Sequence, residues 1–218
     1  MLNALMGNTS ARFFELKKGK CMSKQVEFYF DVGSPAAYLA WTQLPRLCEE
    51  TGATLVYKPM LLGAVFKATG NSAPATVPAK GQWMVQDLAR HAEYYGVPWV
   101  FNPHFPINTL LLMRAAVVVL NSEPERMKAY LEAVFRAIWV EQKNMNDPQV
   151  AAEVLSQAGF DPQALVAKCE EDATKAALRE ITEEAVQRGV FGAPTCFVGG
   201  EMHFGQDRLE FVRRALEK

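Results

Sequence analysis

Residues 26–38 read Val26-Glu27-Phe28-Tyr29-Phe30-Asp31-Val32-Gly33-Ser34-Pro35-Ala36-Ala37-Tyr38. The first six alternate and are rich in aromatic side chains, the pattern of a strand. Gly33 breaks it. Ser34-Pro35 then opens a helix: a serine oxygen accepts from the free amides of a first turn, and proline lacks the N–H that such a turn leaves unpaired. The helix is expected to reach Glu50, with Leu39, Leu44 and Leu47 among its apolar positions, and Thr51-Gly52 ends it. Thr54 to Tyr57 supplies a second strand before Pro59. Strand, helix and strand in such close succession indicate a parallel βαβ unit.

The far end of the chain is its counterpart. Thr195 to Val198 and Glu201 to Phe204 flank Gly199-Gly200, the spacing of a two-residue hairpin. Asp207 is expected to cap a last helix, with Glu210 in capping-box position and Leu209, Val212 and Leu216 on one face. Between the two ends the pattern is helical. Met127, Tyr130, Leu131, Val134, Phe135 and Ile138 recur at steps of three and four. Leu178, Ile181 and Ala185 continue that type of pattern up to Gly189, and Gly159 with Asp161-Pro162 marks a corner between helices. The stretch from Gly70 to Pro78 reads as a loop. The halves predict an α/β, thioredoxin-like fold with an all-helical insertion. Residues 25–77 and 186–218 form the thioredoxin-like part and residues 78–185 the insertion. Residues 1–24 are expected to be a disordered or weakly docked extension, with Met22 a candidate natural start.

Composition narrows the function. Half the 218 residues are apolar, enough for a sizeable core, and 23 basic against 24 acidic residues leave a net charge of −1. That balance gives no electrostatic reason to expect nucleic acid or an anionic membrane as partner. The longest apolar run, Leu110 to Leu120, is interrupted by Arg114 and too short to span a bilayer. Cys21, Cys48, Cys169 and Cys196 form no C-x-x-C, and His91, His104 and His203 have no spacing suited to a metal. A reducing cytoplasm is the expected compartment.

In a thioredoxin fold the chemistry sits at the N-terminus of the first helix. Disulfide exchange needs two thiols there, and this chain has Ser34 and Ala37, so that chemistry is excluded at this position. Free amides and a helix dipole still favour an anion, a thiolate included, and a serine hydroxyl can donate to it. By itself Ser34 also reads as a plain helix cap. Ala193-Pro194, just before the hairpin, is the candidate cis bond, although alone it also reads as an ordinary trans turn.

F-Y-F-D-x-x-S-P-x-x-Y at Phe28 to Tyr38, G-V-F-G-A-P-T at Gly189 to Thr195 and G-Q-D-R-L at Gly205 to Leu209 occur in that order. Together they resemble the 2-hydroxychromene-2-carboxylate isomerase family, relatives of the kappa-class glutathione transferases within the DsbA-like thioredoxin superfamily. The resemblance covers residues 25 to 217 and implies glutathione as cofactor. It implies that Ser34 steadies the glutathione thiolate, that the backbone at Ala193 before Pro194 pairs with the cysteinyl part, and that Gln206 and Asp207 hold the γ-glutamyl end. Asn71 and Lys80 match contacts near the glycine end or the site mouth. Asn71 also reads as a solvated loop amide, and Lys80 as a solvated surface charge.

The implied reaction is reversible addition of glutathione thiolate to an unsaturated aromatic-catabolism intermediate, giving cis–trans isomerisation by a homodimer. The chain departs from the family where Phe105 stands for a tyrosine and where Ile107-Asn108-Thr109 lacks arginine. His104, Phe105 and Asn108 are the candidate substrate contacts, and loop capping is the competing role for His104 and Asn108. A kappa-like transferase or peroxidase is the alternative activity, and a non-catalytic glutathione-binding protein the other class. No metal is expected.

Overall fold

A computed structural model describes residues 24–218. Apart from Lys24, the N-terminal extension and the candidate start at Met22 lie outside the described residues. β1 (Gln25–Phe30), β2 (Thr54–Pro59), β3 (Thr195–Val198) and β4 (Glu201–Phe204) form one sheet in the order β2-β1-β3-β4. β1 and β2 are parallel, with Phe28 opposite Tyr57, and β3 runs antiparallel to both β1 and β4. α1 (Pro35–Thr51) makes the crossover between β1 and β2, as the βαβ reading requires.

Strand alternation decides what each face of the sheet meets. Val26, Phe28 and Phe30 point into the main core with α1 and α5 (Met127–Trp139). The Phe28 and Phe30 rings stack 5.1 Å apart. Tyr29 points the other way, into a smaller core with Val65, Ala185 and Phe197. Glu27 shares that face and takes the Arg188 guanidinium in two bonds of 2.7 and 3.0 Å, just beyond α8 (Asp172–Gln187). All six periodic residues of α5 named above are fully buried, so the three-and-four spacing marked a real core face. α6 (Pro148–Gln157) and α7 (Pro162–Cys169) meet at the Asp161-Pro162 corner, where Asp161 caps α7 by accepting from Gln163 and Ala164. α3 (Pro78–Tyr95) and α4 (Leu110–Ser122) complete the helical part.

Two local expectations change, and one helix is added. Between β2 and the Gly70–Pro78 loop lies α2 (Leu62–Thr69), whose N-cap Leu61 offers no side-chain acceptor. Its first amides are held from elsewhere: Leu61 N–H donates to Thr182 Oγ1 at 3.1 Å and Leu62 N–H to Asp31 Oδ2 at 2.9 Å. Such long-range support leaves no cap signature in the local sequence. The Gly70–Pro78 loop includes a short 3-10 turn, Pro74–Thr76. Asp207 does not cap the last helix, because a 3-10 turn at Gln206–Arg208 intervenes and α9 (Leu209–Glu217) begins beyond it. Asp207 Oδ1 accepts from Arg208 at 2.5 Å, and Glu210 pairs with Arg214 rather than reaching back.

Candidate active site

Ser34 is the N-cap of α1, with extended backbone angles, and it is buried. Its Oγ accepts from Ala37 N–H at 3.2 Å and donates to the carbonyl of Ala193 at 3.0 Å. The Ala193–Pro194 bond is cis, as is Phe105–Pro106, which the sequence did not suggest. Pro35 has no amide proton, and the N–H groups of Ala36 and Ala193 have no protein partner among the described residues. The Ser34 hydroxyl, the free Ala36 amide and the α1 N-terminus stand together at the start of the helix, a setting suited to an anion.

Two glycines permit this approach. A Cβ on Gly33 would come within 2.9 Å of the Thr109 methyl, and one on Gly192 within 2.8 Å of the Phe204 ring. Any side chain at either place would push apart the walls that carry Ser34 and Ala193. Thr195 Oγ1 donates to Gly192 O at 2.9 Å, bracing the turn before Pro194.

Beneath Ser34 lies Asp31, one residue beyond the end of β1. β1 stops at Phe30, and the buried Asp31 carboxylate turns inward. It accepts from Gly33 N–H at 2.9 Å, Leu62 N–H at 2.9 Å and Thr109 Oγ1 at 3.1 Å, while its carbonyl accepts from Ser34 N–H. It thus ties together the starts of α1, α2 and α4. Burial pushes its carboxyl above the ordinary carboxylate range, and the three donors hold it down only in part. The available signal was an acidic residue ending an apolar strand three places before a helix cap.

The other expected site residues fall into two groups. Gly205 N–H donates to Pro194 O at 2.9 Å, which brings Gln206 and Asp207 to the same end of the sheet. Tyr95 donates to Gln206 O at 2.5 Å, and burial together with the Asp207 charge pushes its hydroxyl up to about 12. Asp207 is exposed, Gln206 buried. Asn71 Nδ2 donates to Phe191 O at 2.8 Å, joining its loop to the segment that leads into Ala193. Through Phe191 and Pro194, Asn71 and the Gly205–Asp207 segment are tied to the stretch that carries Ala193 O, the acceptor of the Ser34 hydroxyl.

Lys80 stands exposed in the first turn of α3 with no bond to that group. His104 is exposed, and its N–H donates to Asn102 Oδ1. Asn108 Oδ1 accepts from Leu110 N–H at 3.2 Å and so supports the start of α4. Phe105 packs on the rings of Phe101 and Trp139. This loop nevertheless flanks the site, since Thr109 bonds to Asp31 and touches Gly33.

Among the described residues no group of three His, Cys, Asp or Glu could hold a metal, and no helix is long and apolar enough to cross a membrane.

Comparison with known proteins identifies the family and the fold. The DSBA-like thioredoxin domain family matches residues 25–217. A 2-hydroxychromene-2-carboxylate isomerase of Sphingobium xenophagum is 32% identical over 89% of this chain and 99% of that protein. Glutathione S-transferase kappa 1 of Rattus norvegicus is 31% identical over 86% of this chain and 88% of that protein. A solved structure of 2-hydroxychromene-2-carboxylate isomerase superposes with a TM-score of 0.80 at 32% identity, covering 88% of this chain and 94% of that one. The cytosolic disulfide reductase DsbM of Pseudomonas aeruginosa shares the fold, with a TM-score of 0.60 at 18% identity over 88% and 97% of the two chains. The chain is an enzyme of the DSBA-like thioredoxin domain family, in the branch that holds the 2-hydroxychromene-2-carboxylate isomerases and the kappa-class glutathione transferases.

Proposed function

We propose that the protein is a glutathione-dependent cis–trans isomerase acting on an aromatic-catabolism intermediate of the 2-hydroxychromene-2-carboxylate type. The observation that carries this reading is the Ser34 hydroxyl at the α1 N-cap, 3.0 Å from Ala193 O, in a position where a redox relative would need a thiol. The donor set suits a thiolate, because the Ser34 hydroxyl stands at the α1 N-terminus next to the unpartnered Ala36 amide. Bound there, glutathione would supply a nucleophilic thiolate for reversible addition to the unsaturated substrate.

The chain's own residues have separate tasks. Ser34 and the α1 N-terminus favour the anionic sulfur. The Ala193 amide aligns the cysteinyl backbone. Asp207 receives the γ-glutamyl ammonium with Gln206 beside it, and Asn71 and Lys80 serve the glycine end. Phe105 offers an aromatic wall to the substrate, with His104 and Asn108 at its edge. The enzyme works as a homodimer in a reducing cytoplasm; the buried free thiols of Cys48, Cys169 and Cys196 suit that compartment.

One observation favours a kappa-like transferase instead: Phe105 lies against Phe101 and Trp139, and Ile107-Asn108-Thr109 brings no arginine for a substrate carboxylate. The two readings separate in one assay. Purified protein with a hydroxychromene carboxylate and catalytic glutathione is followed by ultraviolet absorbance while free thiol is counted. Isomerisation with thiol conserved supports the isomerase. Thiol consumed with an electrophile and no isomerisation supports the transferase, and neither reaction despite tight glutathione binding leaves a binding protein.

A further inference from the structure

A cavity of about 380 Å³ lies between α2, α4 and α8, and none of its lining residues belongs to the group around Ser34. That volume is within the range of about 300–1,000 Å³ found for small-molecule sites, near its lower end. Leu61, Ala64 and Ala68 present one face of α2 to it, opposite Leu178 and Val186 of α8, with Leu110 of α4 at the end. A compact apolar body is what such walls accept.

The rim is cationic. Arg114, Lys175 and Arg179 line it, with Glu183 the one carboxylate among the lining residues. Arg114 and Lys175 both use the same neighbouring carboxylate, Glu170, at 2.9 and 3.0 Å. Arg179 forms no ion pair with a described residue. Three cations against two carboxylates leave room for one anionic charge. Thr182, also in the lining, is already committed: its hydroxyl accepts from Leu61 N–H and donates to Leu178 O.

The walls are held before any ligand arrives. Leu61 precedes Leu62 and Leu110 follows Thr109, two of the three residues bonded to the Asp31 carboxylate. Both ends of the cavity mouth are therefore anchored to one buried group, and little ordering remains for binding to impose.

We propose that this cavity binds a small apolar monocarboxylate, with the ring or chain between α2 and α8 and the carboxylate at Arg179. The proposal does not depend on the glutathione reading. The test is calorimetric titration of the full chain with 2-naphthoate and with the neutral 2-naphthalenemethanol, each with and without saturating glutathione. Naphthoate should bind at sub-millimolar concentration under both conditions and about tenfold more tightly than the alcohol. Arg179→Gln should remove that tenfold advantage. Ala68→Phe, at the exposed end of α2, should abolish binding of both probes while circular dichroism and Tm stay normal. Equal affinity for acid and alcohol, naphthoate displaced by glutathione, or binding indifferent to Ala68→Phe would each overturn the proposal. So would an Ala68→Phe variant that changes the oligomeric state and leaves naphthoate binding intact, since the cavity would then be a contact between copies.

Discussion

Ser34 Oγ lies 3.0 Å from the carbonyl oxygen of Ala193 and, at the same time, 3.2 Å from the amide nitrogen of Ala37. The hydroxyl has one proton, and in the free protein it points at Ala193. To serve a thiolate it must leave that carbonyl. The gain is a bond to an anion, about 1.5–3 kcal/mol, less a neutral bond of about 0.5–1.5 kcal/mol. The net spans about 0–2.5 kcal/mol, and its midpoint corresponds to about one pKa unit.

Ser34→Ala is therefore expected to raise the pKa of bound glutathione thiol by about one unit, with the share due to the helix N-terminus left in place. Glutathione should still bind, and turnover at neutral pH should fall. Ultraviolet titration of the bound thiolate reads the shift. Because Ser34 also caps α1, the variant should lose about 0.5–2 kcal/mol of stability, read by chemical denaturation. A stability loss with an unmoved titration and unchanged turnover would make Ser34 a cap alone.

For Asp207 the structure removes the competing role. Its carboxylate pairs with exposed Arg208 and caps nothing, so Asp207→Ala should change stability by less than about 0.5 kcal/mol. If the carboxylate receives the γ-glutamyl ammonium, glutathione affinity should drop by about 1.5–3 kcal/mol, at least tenfold, with Asp207→Asn nearly as impaired. Calorimetry on both variants decides it, and unchanged affinity in Asp207→Asn would remove the residue from the site.

Asp31→Asn sets two effects against each other. Removing a buried charge relieves desolvation, but an amide turns one acceptor oxygen into a donor facing Gly33, Leu62 or Thr109. An unsatisfied buried group costs about 1–3 kcal/mol, and with three donors to satisfy this loss should win. The pH dependence has a definite sign. The folded carboxyl holds its proton to higher pH than the unfolded one, so this residue lowers stability as pH rises from the ordinary carboxylate value through the raised one. The stability gap between wild type and Asp31→Asn should therefore widen toward acid, because only the wild type gains from protonation of this carboxyl. Parallel curves would show that Asp31 is not titrating out of step with the unfolded chain.

Burial pushes the thiols of Cys48 and Cys169 up to about 11 and that of Cys196 up to about 12. Since the thiolate is the reactive form, all three should resist alkylation in the native protein at pH 8 and react together on unfolding. In a Cys21→Ser background, mass spectrometry after iodoacetamide should show no adduct before denaturant and three after it. A fast native adduct would place one of these thiols in a reactive setting that the fold does not provide.

Local pattern was enough for much of the molecule. Alternation in Val26 to Phe30, Ser34-Pro35 at a helix start, the spacing of Met127 to Ile138 and the Gly199-Gly200 hairpin each express a rule of short range, and each formed as read. Ser34 was legible as a helix cap for the same reason, whereas Ala193-Pro194 stood out only through its place before the hairpin and the three ordered motifs. What the tertiary structure alone decided depends on partners far along the chain. Helix α2 stands on amides held by Thr182 and Asp31, and Asp31 gains its importance only where Gly33, Leu62 and Thr109 meet. The cap expected at Asp207 failed because Gly205 is bonded to Pro194 and an added 3-10 turn shifts the start of α9. A hydrogen bond between residues tens of positions apart has no period and no neighbouring signature, so it enters only when packing brings the groups together.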